Sequence, residues 1–356
     1  MGRTDRAALR RSRRLRPVPL ILLAGFGLQL AGCGRSGTPS TLDPHGPGAD
    51  RIAGIWWFLL WTSVVVFLMV AGLIGYAVWR RRGERVQPRP GGERLIVAGG
   101  IVLPAVVLTV VWLVNLNGMS ALAYRGQGDL TVQVTGHQYW WEVRYPDEDV
   151  VTANELHVPI GRRVRLELTS ADVNHSFWVP QLTYKTDLIP GKTNVTWLQA
   201  DRPGSYDGAY RGQCAEYCGL QHAKMEFLVV AEPPAAYDAW LARQRQSATA
   251  AVPAGTTAAR GLAVLESNSC AACHALRGTS AAGKAGPDLT HFGERRTLGA
   301  GTAPNNRGYL GGWIVNSQTL KPGNKMPPQQ LGAEELQDVL AYFDSQREEA
   351  SRGDGG

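Results

Sequence analysis

Residues 214–225 read Cys-Ala-Glu-Tyr-Cys-Gly-Leu-Gln-His-Ala-Lys-Met, and residues 174–178, further upstream, read Asn-His-Ser-Phe-Trp. Together they offer two thiols, two imidazoles and a thioether, from Cys214, Cys218, His175, His222 and Met225. Such soft donors favour copper over magnesium or calcium. A single copper in a His, Cys and distant Met site would need only one thiol, whereas two thiols on one loop can bridge two copper ions. The spacing therefore predicts a copper site.

Two other interpretations of the same loop remain open. Two Cys and two His also satisfy zinc, although zinc would leave Met225 without a role. In an exported protein, Cys214 and Cys218 could instead form a disulfide. Copper is favoured because it uses every donor of the set.

The chain on either side of this loop, from Asp129 to about Ala231, alternates between apolar and polar residues. Residues 130–134, 163–168 and 194–198 follow a period of two and are separated by Pro and Gly turns. This pattern is typical of half-buried strands. It predicts a small antiparallel β-sandwich or barrel of about 100 residues.

A second motif lies beyond this region, where Cys270-Ala-Ala-Cys273-His274 forms the attachment pattern of a c-type haem. Two thiols bond to the haem and the adjacent imidazole binds the iron. Met326 is the only Met of this part of the chain and the expected sixth ligand, with His291 as a competitor. Ligation by Met and His raises the reduction potential, as a donor to copper requires.

The surroundings of the haem motif predict a separate helical domain. Residues 258–268 and 333–346 have helical patterns, the second with one apolar face. Residues 286–289 read Gly-Pro-Asp-Leu, at the distance where a Pro carbonyl is expected to contact the axial His274. Residues 247–257 are rich in Ala, Thr, Gly and Pro and predict a flexible linker.

Two uncharged segments, Ile52–Trp79 and Leu95–Leu116, are long enough to cross a membrane. At about 1.5 Å per residue they reach roughly 40 Å and 33 Å, against a hydrocarbon core of about 30 Å. The connection between them holds six Arg and two Glu, which places it in the cytoplasm by the positive-inside rule. Both ends of the hairpin then face outward.

The sequence of the amino terminus predicts that the chain is exported. Residues 1–32 combine seven Arg with a short apolar run, as in a signal peptide. They end in Leu-Ala-Gly before Cys33, which resembles the lipobox of bacterial lipoproteins, although a chance Cys after small residues would look the same. This segment carries +6 of the net charge of +7, so the rest of the chain is nearly neutral. Nucleic-acid binding is therefore not expected.

The copper segment resembles the binuclear copper A domain of cytochrome c oxidase subunit II. The resemblance rests on Gly-His-Gln-Tyr-Trp-Trp at 136–141, on 173–176, on Lys-Thr-Asp-Leu-Ile-Pro-Gly at 185–191, and on 212–225. With the hairpin it covers roughly residues 52–230. It implies that two thiolates bridge the coppers, two imidazoles are terminal ligands, and a thioether and a carbonyl complete the set: Cys214, Cys218, His175, His222, Met225 and the carbonyl of Glu216.

The resemblance also implies contacts with a catalytic subunit. The Glu216 side chain would help to bind a magnesium or manganese ion shared with that subunit. Asp187 resembles an interface carboxylate of the same region, although an Asp at such a turn is often only a cap.

Two positions depart from the family pattern. The family has Trp directly after Gly-His-Gln, as the residue that accepts electrons, whereas Tyr139 stands here and is followed by Trp140 and Trp141. All three are therefore candidates. The acidic residue expected seven positions before Pro104, for proton uptake, is Val97, and Glu93 lies one turn further out.

Residues 258–347 resemble a class I cytochrome c. The resemblances imply a multi-domain membrane protein with a two-helix transmembrane hairpin, an all-β cupredoxin-like sandwich and an all-α cytochrome c domain. The predicted divisions are a lipoprotein signal peptide at 1–32, an outer segment at 33–51, the hairpin at 52–118 with helices 52–79 and 95–116, the copper A domain at 129–231, the linker at 247–257 and the cytochrome domain at 258–347.

The function implied is that of subunit II in a caa3-type oxidase of the bacterial inner membrane, with both metal domains on the periplasmic side. Electrons would pass from an external donor, a cytochrome c or a bc complex, through haem c and copper A to a catalytic subunit I that reduces dioxygen and pumps protons. Alternatives are the matching subunit of a copper A nitric oxide reductase and a non-enzymatic copper or haem electron carrier.

Overall fold

The structure is a computed structural model that describes residues 39–80, 91–124, 126, 130–250 and 252–353. The predicted signal peptide, Cys33 and most of the arginine-rich connection lie outside the described residues.

Two long apolar helices come first. Helix α1 spans Pro47–Arg80, and a continuous helical segment runs through α2 (Gly92–Val97), a π-helical turn (Ala98–Val102) and α3 (Leu103–Leu122). The π turn precedes Pro104, which has no N–H to donate to the preceding turn. Their most apolar windows have mean hydropathies of 2.4 and 2.5, with no residue buried inside the protein. The predicted membrane hairpin is confirmed as two helices of sufficient length.

The hairpin packs closely and is joined to the domain that follows. A Cβ atom on Gly118 would lie 2.4 Å from Ile55 Cδ1, so the glycine lets the two helices approach each other. At the end of α3, the carbonyl of Leu122 accepts a hydrogen bond of 2.8 Å from Trp197 Nε1. Tyr184 also donates to this carbonyl, at 3.4 Å.

The next domain is a sandwich of two five-stranded sheets, with strand orders β3-β2-β1-β5-β8 and β4-β10-β9-β6-β7. Its strands are β1 (Leu130–His137), β2 (Trp140–Tyr145), β3 (Val150–Ala153), β4 (Glu155–Pro159), β5 (Val164–Ser170), β6 (His175–Trp178), β7 (Thr186–Leu188), β8 (Asn194–Leu198), β9 (Ala209–Cys214) and β10 (Glu226–Glu232). The pairs β1–β5 and β4–β10 are parallel. The predicted sandwich is confirmed, but the expectation that its strands are antiparallel is wrong for these two pairs, because the chain returns to each sheet by crossover connections.

The alternation seen in the sequence becomes the core between the sheets. Strands β1 and β5 bury every second residue, from Leu130 and Val164 onward. Fully burying each Leu or Val side chain of this set stabilises the fold by about 1.5–3 kcal/mol. Next to residues 214–225, the copper loop, the rings of Trp141, Phe177 and Phe227 pack against one another with centroids 4.5–6.2 Å apart.

A helix that the sequence analysis missed closes one end of the sandwich. Helix α4 spans Pro234–Gln244, and its Trp240 stacks on His157 with ring centroids 4.1 Å apart. Tyr237, Trp240 and Leu241 are all buried. Their i, i+3, i+4 spacing is the signal that would have predicted this helix.

The last domain is mainly helical, with α5 (Thr257–Ser267), α6 (Cys270–Cys273), α7 (Arg307–Asn316) and α8 (Ala333–Gly353), and a short ladder of β11 (Thr297–Leu298) and β12 (Ala303–Pro304). The Thr256 hydroxyl caps α5 by accepting a hydrogen bond from the backbone of Ala259. Helices α5 and α8 cross closely at Gly261, where a Cβ atom would lie 2.0 Å from the carbonyl oxygen of Asp338.

The predicted linker is not an extended tether in the described residues. Ala248 is buried in the core of the helical domain, and its N–H donates to the carbonyl of Arg277 at 2.8 Å. The two domains also contact each other directly. The Glu226 N–H donates to the Ala300 carbonyl at 3.0 Å, and the Arg296 N–H donates to Glu155 Oε1 at 2.7 Å.

Candidate metal centres

The predicted copper ligands converge at one end of the sandwich. His175 begins β6, Cys214 ends β9, and Met225 directly precedes β10. Cys218 and His222 lie on the loop between β9 and β10. The two cysteines are free, with sulfur atoms 3.8 Å apart, well beyond the length of a disulfide bond. The geometry does not support the disulfide interpretation.

Each sulfur has its own set of further donors. The Cys214 sulfur lies 3.9 Å from His175 Nδ1 and 3.1 Å from the carbonyl oxygen of Glu216. The Cys218 sulfur lies 3.8 Å from His222 Nδ1 and 3.7 Å from Met225 Sδ. Six donors grouped as two sets around a pair of thiols fit two copper ions. A tetrahedral zinc ion would leave two of them unused.

Hydrogen bonds orient the first imidazole. His175 Nε2 lies 2.9 Å from the Asp172 carboxylate, so Nδ1 is the nitrogen directed toward Cys214. Burial opposes ionisation of Asp172, but hydrogen bonds from His175 and from the backbone of Gln138 and Val173 outweigh it and lower the pKa of Asp172 to about 2. The carboxylate is therefore charged at neutral pH.

Of the two copper thiols, that of Cys214 is prepared for metal binding, whereas the hydrogen bond to Cys214 and burial raise the pKa of the Cys218 thiol. The hydrogen bond from Cys218 lowers the pKa of the Cys214 thiol, with His175 adding to the effect. A thiolate is the form that binds metal. The ring of His175 is held from behind, because a Cβ atom on Gly136 would lie 2.7 Å from His175 Cδ2.

The haem motif has the expected local geometry. Cys270 and Cys273 are the first and last residues of α6, and His274 follows immediately. His274 Nδ1 donates to the carbonyl of Pro287 at 2.7 Å, as the sequence predicted, and Nε2 is left for the iron. Burial lowers the pKa of His274, which favours the neutral imidazole that a metal requires.

These residues line a cavity of about 440 Å³. Met326 lines it too, and its sulfur accepts a hydrogen bond of 3.1 Å from Trp313 Nε1. The competing residue His291 is not among the lining residues, and its two ring nitrogens lie near Glu294 and the Gln246 carbonyl. The other walls are mostly apolar, as a haem requires, and include Leu265, Leu289, Phe292, Leu298, Leu310, Ile314, Val339 and Phe343.

The copper domain supplies part of the same cavity through residues 137–140. Gln138 Nε2 in this segment donates to the carbonyl of Cys218 at 2.7 Å, and the Tyr139 hydroxyl accepts from the N–H of Leu220 at 3.0 Å. Trp140 stacks on His137, with centroids 4.2 Å apart. These residues therefore touch both the haem cavity and the copper loop.

The remaining candidate residues are not among those that line the haem cavity. Trp141 is buried in the sandwich core at 1% exposure, away from the cavity. Glu216 and Asp187 are both exposed, the first on the copper loop and the second on β7, where it pairs with Ser176 of β6.

Comparisons with known proteins agree with this architecture. Residues 148–232 match the family "Cytochrome C oxidase subunit II, periplasmic domain", and residues 258–347 match the family "Cytochrome c". The chain is 36% identical over 339 residues to cytochrome c oxidase subunit 2 of Alkalihalophilus pseudofirmus, covering 92% of this chain and 96% of that one. The chain belongs to the cytochrome c oxidase subunit II family.

Other members of the family are similar over less of the chain. The subunit 2 of Bacillus subtilis is 31% identical over 326 residues, covering 86% of this chain and 90% of that one. The crystal structure of the periplasmic domain of subunit II from Bradyrhizobium japonicum is 31% identical, covers 34% of this chain and 96% of its own, and has a TM-score of 0.32.

Membership confirms the predicted fold class and function. The chain is a membrane-anchored subunit of cytochrome c oxidase, with a copper A domain on the periplasmic side and a fused cytochrome c domain. Its role is electron transfer through copper A within a haem–copper oxidase complex.

Proposed function

We propose that the copper ligands are His175, Cys214, Cys218, His222, Met225 and the carbonyl of Glu216, and that the haem ligands are Cys270, Cys273, His274 and Met326. The distances of 3.1–3.9 Å between neighbouring donors support the first set. The shared cavity supports the second. When bound, the two groups supply reversible one-electron chemistry.

The chain's own residues fix the relation between the two groups. Strands β6 and β9 hold ligands on a rigid sheet, and Asp172 and Pro287 fix the rotation of two imidazoles. The mostly apolar walls keep water from the haem and limit rearrangement around it. Such a framework suits repeated electron transfer, because the sites do not need to reorganise.

We propose that electrons reach copper A through residues 137–140. The observation that carries this assignment is that Tyr139 and Trp140 line the haem cavity while Gln138 and Tyr139 bond to the copper loop. Of the three aromatic candidates, Tyr139 is favoured because it makes both contacts. Trp141 is disfavoured by its position in the core.

The partners are proposed from the chemistry of the exposed residues and from the family to which the chain belongs. The external donor is a cytochrome c or a bc complex, and the acceptor is the catalytic subunit I of a caa3-type oxidase that reduces dioxygen and pumps protons. Exposed Glu216 supplies a hard oxygen donor for a magnesium or manganese ion shared with that subunit. Exposed Asp187 would contact the same partner.

The amino-terminal divisions are proposed from sequence alone. Residues 1–32 are a signal peptide, Cys33 carries a lipid, and the chain lies in the bacterial inner membrane. Intact-mass analysis of the native chain should show loss of 32 residues and a lipid-sized addition. An unmodified terminus elsewhere would contradict this.

The test of the copper assignment is spectroscopic. Electron paramagnetic resonance of the purified complex should show a mixed-valence pair with the spin shared equally between two coppers. Cys214→Ser should abolish the shared spin, and survival of the wild-type signal would contradict bridging. Haem a bands in the visible spectrum would favour the oxidase over a nitric oxide reductase.

The haem assignment has a matching test. Met326→Ala should remove the sulfur-to-iron absorption band and lower the potential, because a neutral thioether favours ferrous iron. His291→Ala is the control and should leave both unchanged. Loss of the band in the His291 variant would contradict Met326 as the sixth ligand.

A further inference from the structure

Lys321 is one of the largest fully buried side chains of the protein, at 1% exposure. Lysines are almost never fully buried unless a partner compensates the charge. Its ammonium donates to two backbone carbonyls, that of Gly299 at 2.7 Å and that of Tyr139 at 2.9 Å. An ammonium has three N–H donors, so these contacts leave one donor over.

Lys321 lines the haem cavity, and so does the guanidinium of Arg295, which is 6% exposed. Across the described part of the chain, neither cation forms an ion pair with a carboxylate. Burial lowers the pKa of Lys321 to about 7, because this position disfavours an uncompensated charge. Two buried cations beside one cavity therefore call for an anion inside it.

The copper domain adds a third polar group to the lining of the same cavity. His137 Nε2 is buried and has no hydrogen-bond partner among the described residues. The His137 ring is fixed by stacking on Trp140, at 4.2 Å between centroids and nearly parallel planes. A buried ring nitrogen without a partner is costly, so a ligand that supplies an acceptor would satisfy it.

The anionic groups that a haem brings to a cavity are its two propionate carboxylates. We propose that Lys321 of the cytochrome domain and His137 of the copper domain bind a propionate of the haem, so that the carboxylate edge of the haem joins the two domains. The third N–H of Lys321 and the N–H of His137 donate to the carboxylate, and Arg295 contributes positive charge from the lining of the same cavity. No covalent bond changes in this interaction.

This inference rests on the proposed function, because it needs haem bound through Cys270 and Cys273. It adds that the copper domain touches the haem directly. Lys321 and His137 thus act as positioning residues, since they hold the haem edge against the segment that also bonds to the copper loop at Cys218.

The test uses the purified full-length oxidase complex with both groups loaded. Lys321→Met removes the charge at similar length, and His137→Phe keeps the stacked ring while removing Nε2. Lys224→Met is the matched control, because the exposed Lys224 also donates to a carbonyl across the domains, that of Leu320 at 2.8 Å. The readouts are the propionate vibrations, by resonance Raman spectroscopy, and the equilibrium constant for haem reduction.

Lys321→Met should shift the propionate bending mode and lower the equilibrium constant for haem reduction by about tenfold, because an uncompensated carboxylate favours ferric iron. His137→Phe should shift the same mode with a smaller loss, and the double variant should lose less than the product of the two single losses, since both donors serve one carboxylate. Lys224→Met should match the wild type.

Unchanged vibrations and potentials in both variants would overturn the proposal. If the loss in the double variant equalled the product of the two single losses, the two donors would not share one carboxylate, and the proposal would be overturned. If the Lys321→Met variant took up no haem, Lys321→Gln would be measured in its place. Because two thioether bonds hold the haem, the loss of one contact at its edge should not prevent uptake. Failure of both variants to take up haem would therefore also contradict the proposal. A wild type that lacks either metal centre would instead refute the proposed function, so the two failures are distinguishable.

Discussion

The copper site and the haem site are built on different principles. The copper donors come from strand ends and a short loop of one sandwich, and neighbouring donors lie within 3.9 Å of each other. The haem donors come from a one-turn helix and loops around a cavity of about 440 Å³. A sheet framework can define a small metal site by itself, whereas the haem is part of the core that its own domain needs.

The largest expected effect comes from preventing haem attachment. In the double variant Cys270→Ser, Cys273→Ser, a cavity of about 440 Å³ would lack its contents, which costs up to roughly 10 kcal/mol at about 24 cal/mol per Å³. This approaches the whole stability of a typical domain. We expect limited proteolysis to degrade residues 258–347 and to leave the sandwich intact.

The matching change at copper should be much milder. Cys214→Ser removes the metal pair but leaves the strands and their core, so the sandwich should keep its protease resistance and β-sheet circular dichroism. A collapse of both domains in both variants would show that the two sites do not differ in this way.

Two glycines allow a sharper comparison, because each packs against a metal-binding imidazole. A Cβ atom would lie 2.7 Å from the ring of His175 at Gly136 and 2.5 Å from the ring of His274 at Gly286. Gly136 lies inside β1, paired on both sides, whereas Gly286 lies in a loop. Overpacking costs about 1–3 kcal/mol where the backbone cannot move.

Gly136→Ala should therefore distort the copper spin signal more than Gly286→Ala changes the haem absorption spectrum. Both spectra can be recorded on each purified variant, and each variant serves as the control for the other site. An equal or reversed order would mean that the loop is as rigid as the strand.

A smaller, pH-dependent effect is expected at His157, which lies on β4 of the sandwich. Burial opposes its protonation, but hydrogen bonds to Glu155 and Glu232 outweigh burial and raise the pKa of His157. A raised pKa means that the stabilisation is fully present below the unfolded-state pKa of about 6.5 and is lost as pH rises through the folded-state pKa.

His157→Gln should lower the free energy of unfolding of the sandwich by roughly 1–3 kcal/mol near pH 5, and by less near pH 8. Thermal unfolding followed by circular dichroism at the two pH values measures the difference. A loss that grew with pH would contradict the assigned charge state.

The smallest effect is expected at the exposed ion pair between the domains, Arg277 and Asp149, with atoms 3.0 Å apart. Asp149 is 90% exposed, so Arg277→Ala should change stability by less than about 1 kcal/mol. Electron transfer from photoreduced haem to copper should also vary little between about 0.1 M and 1 M salt, because buried contacts hold the domains. A steep fall would indicate charge-steered collision instead.

The sequence was most informative where ligands lie close together along the chain. The spacing of Cys214, Cys218 and His222, and the motif ending in His274, place donors by local geometry alone. The parallel pairing of β1 with β5 was missed, because period-two patterns show which residues are buried and not which strands are neighbours.

The contacts between the domains were beyond sequence reasoning for a related reason. The composition of residues 247–257 predicts flexibility, yet Ala248 becomes buried against a surface formed by distant residues. Lys321 sits in a Lys-Pro-Gly turn that looks like ordinary exposed loop. Its burial depends on the carbonyl of Tyr139, which is 182 positions away in the chain.

The contact between the copper loop and residues 320–326, the loop that carries Met326, also bears on assembly of the protein in the cell. Cys214 and Cys218 are 5% and 3% exposed. Their loop is bonded across the domains through Gln221, which donates to the Pro322 carbonyl, and through Lys224. A copper-delivering protein must reach these thiols directly. We therefore expect copper to be inserted before the cytochrome domain packs against the copper loop. The steps of assembly would then follow a fixed order.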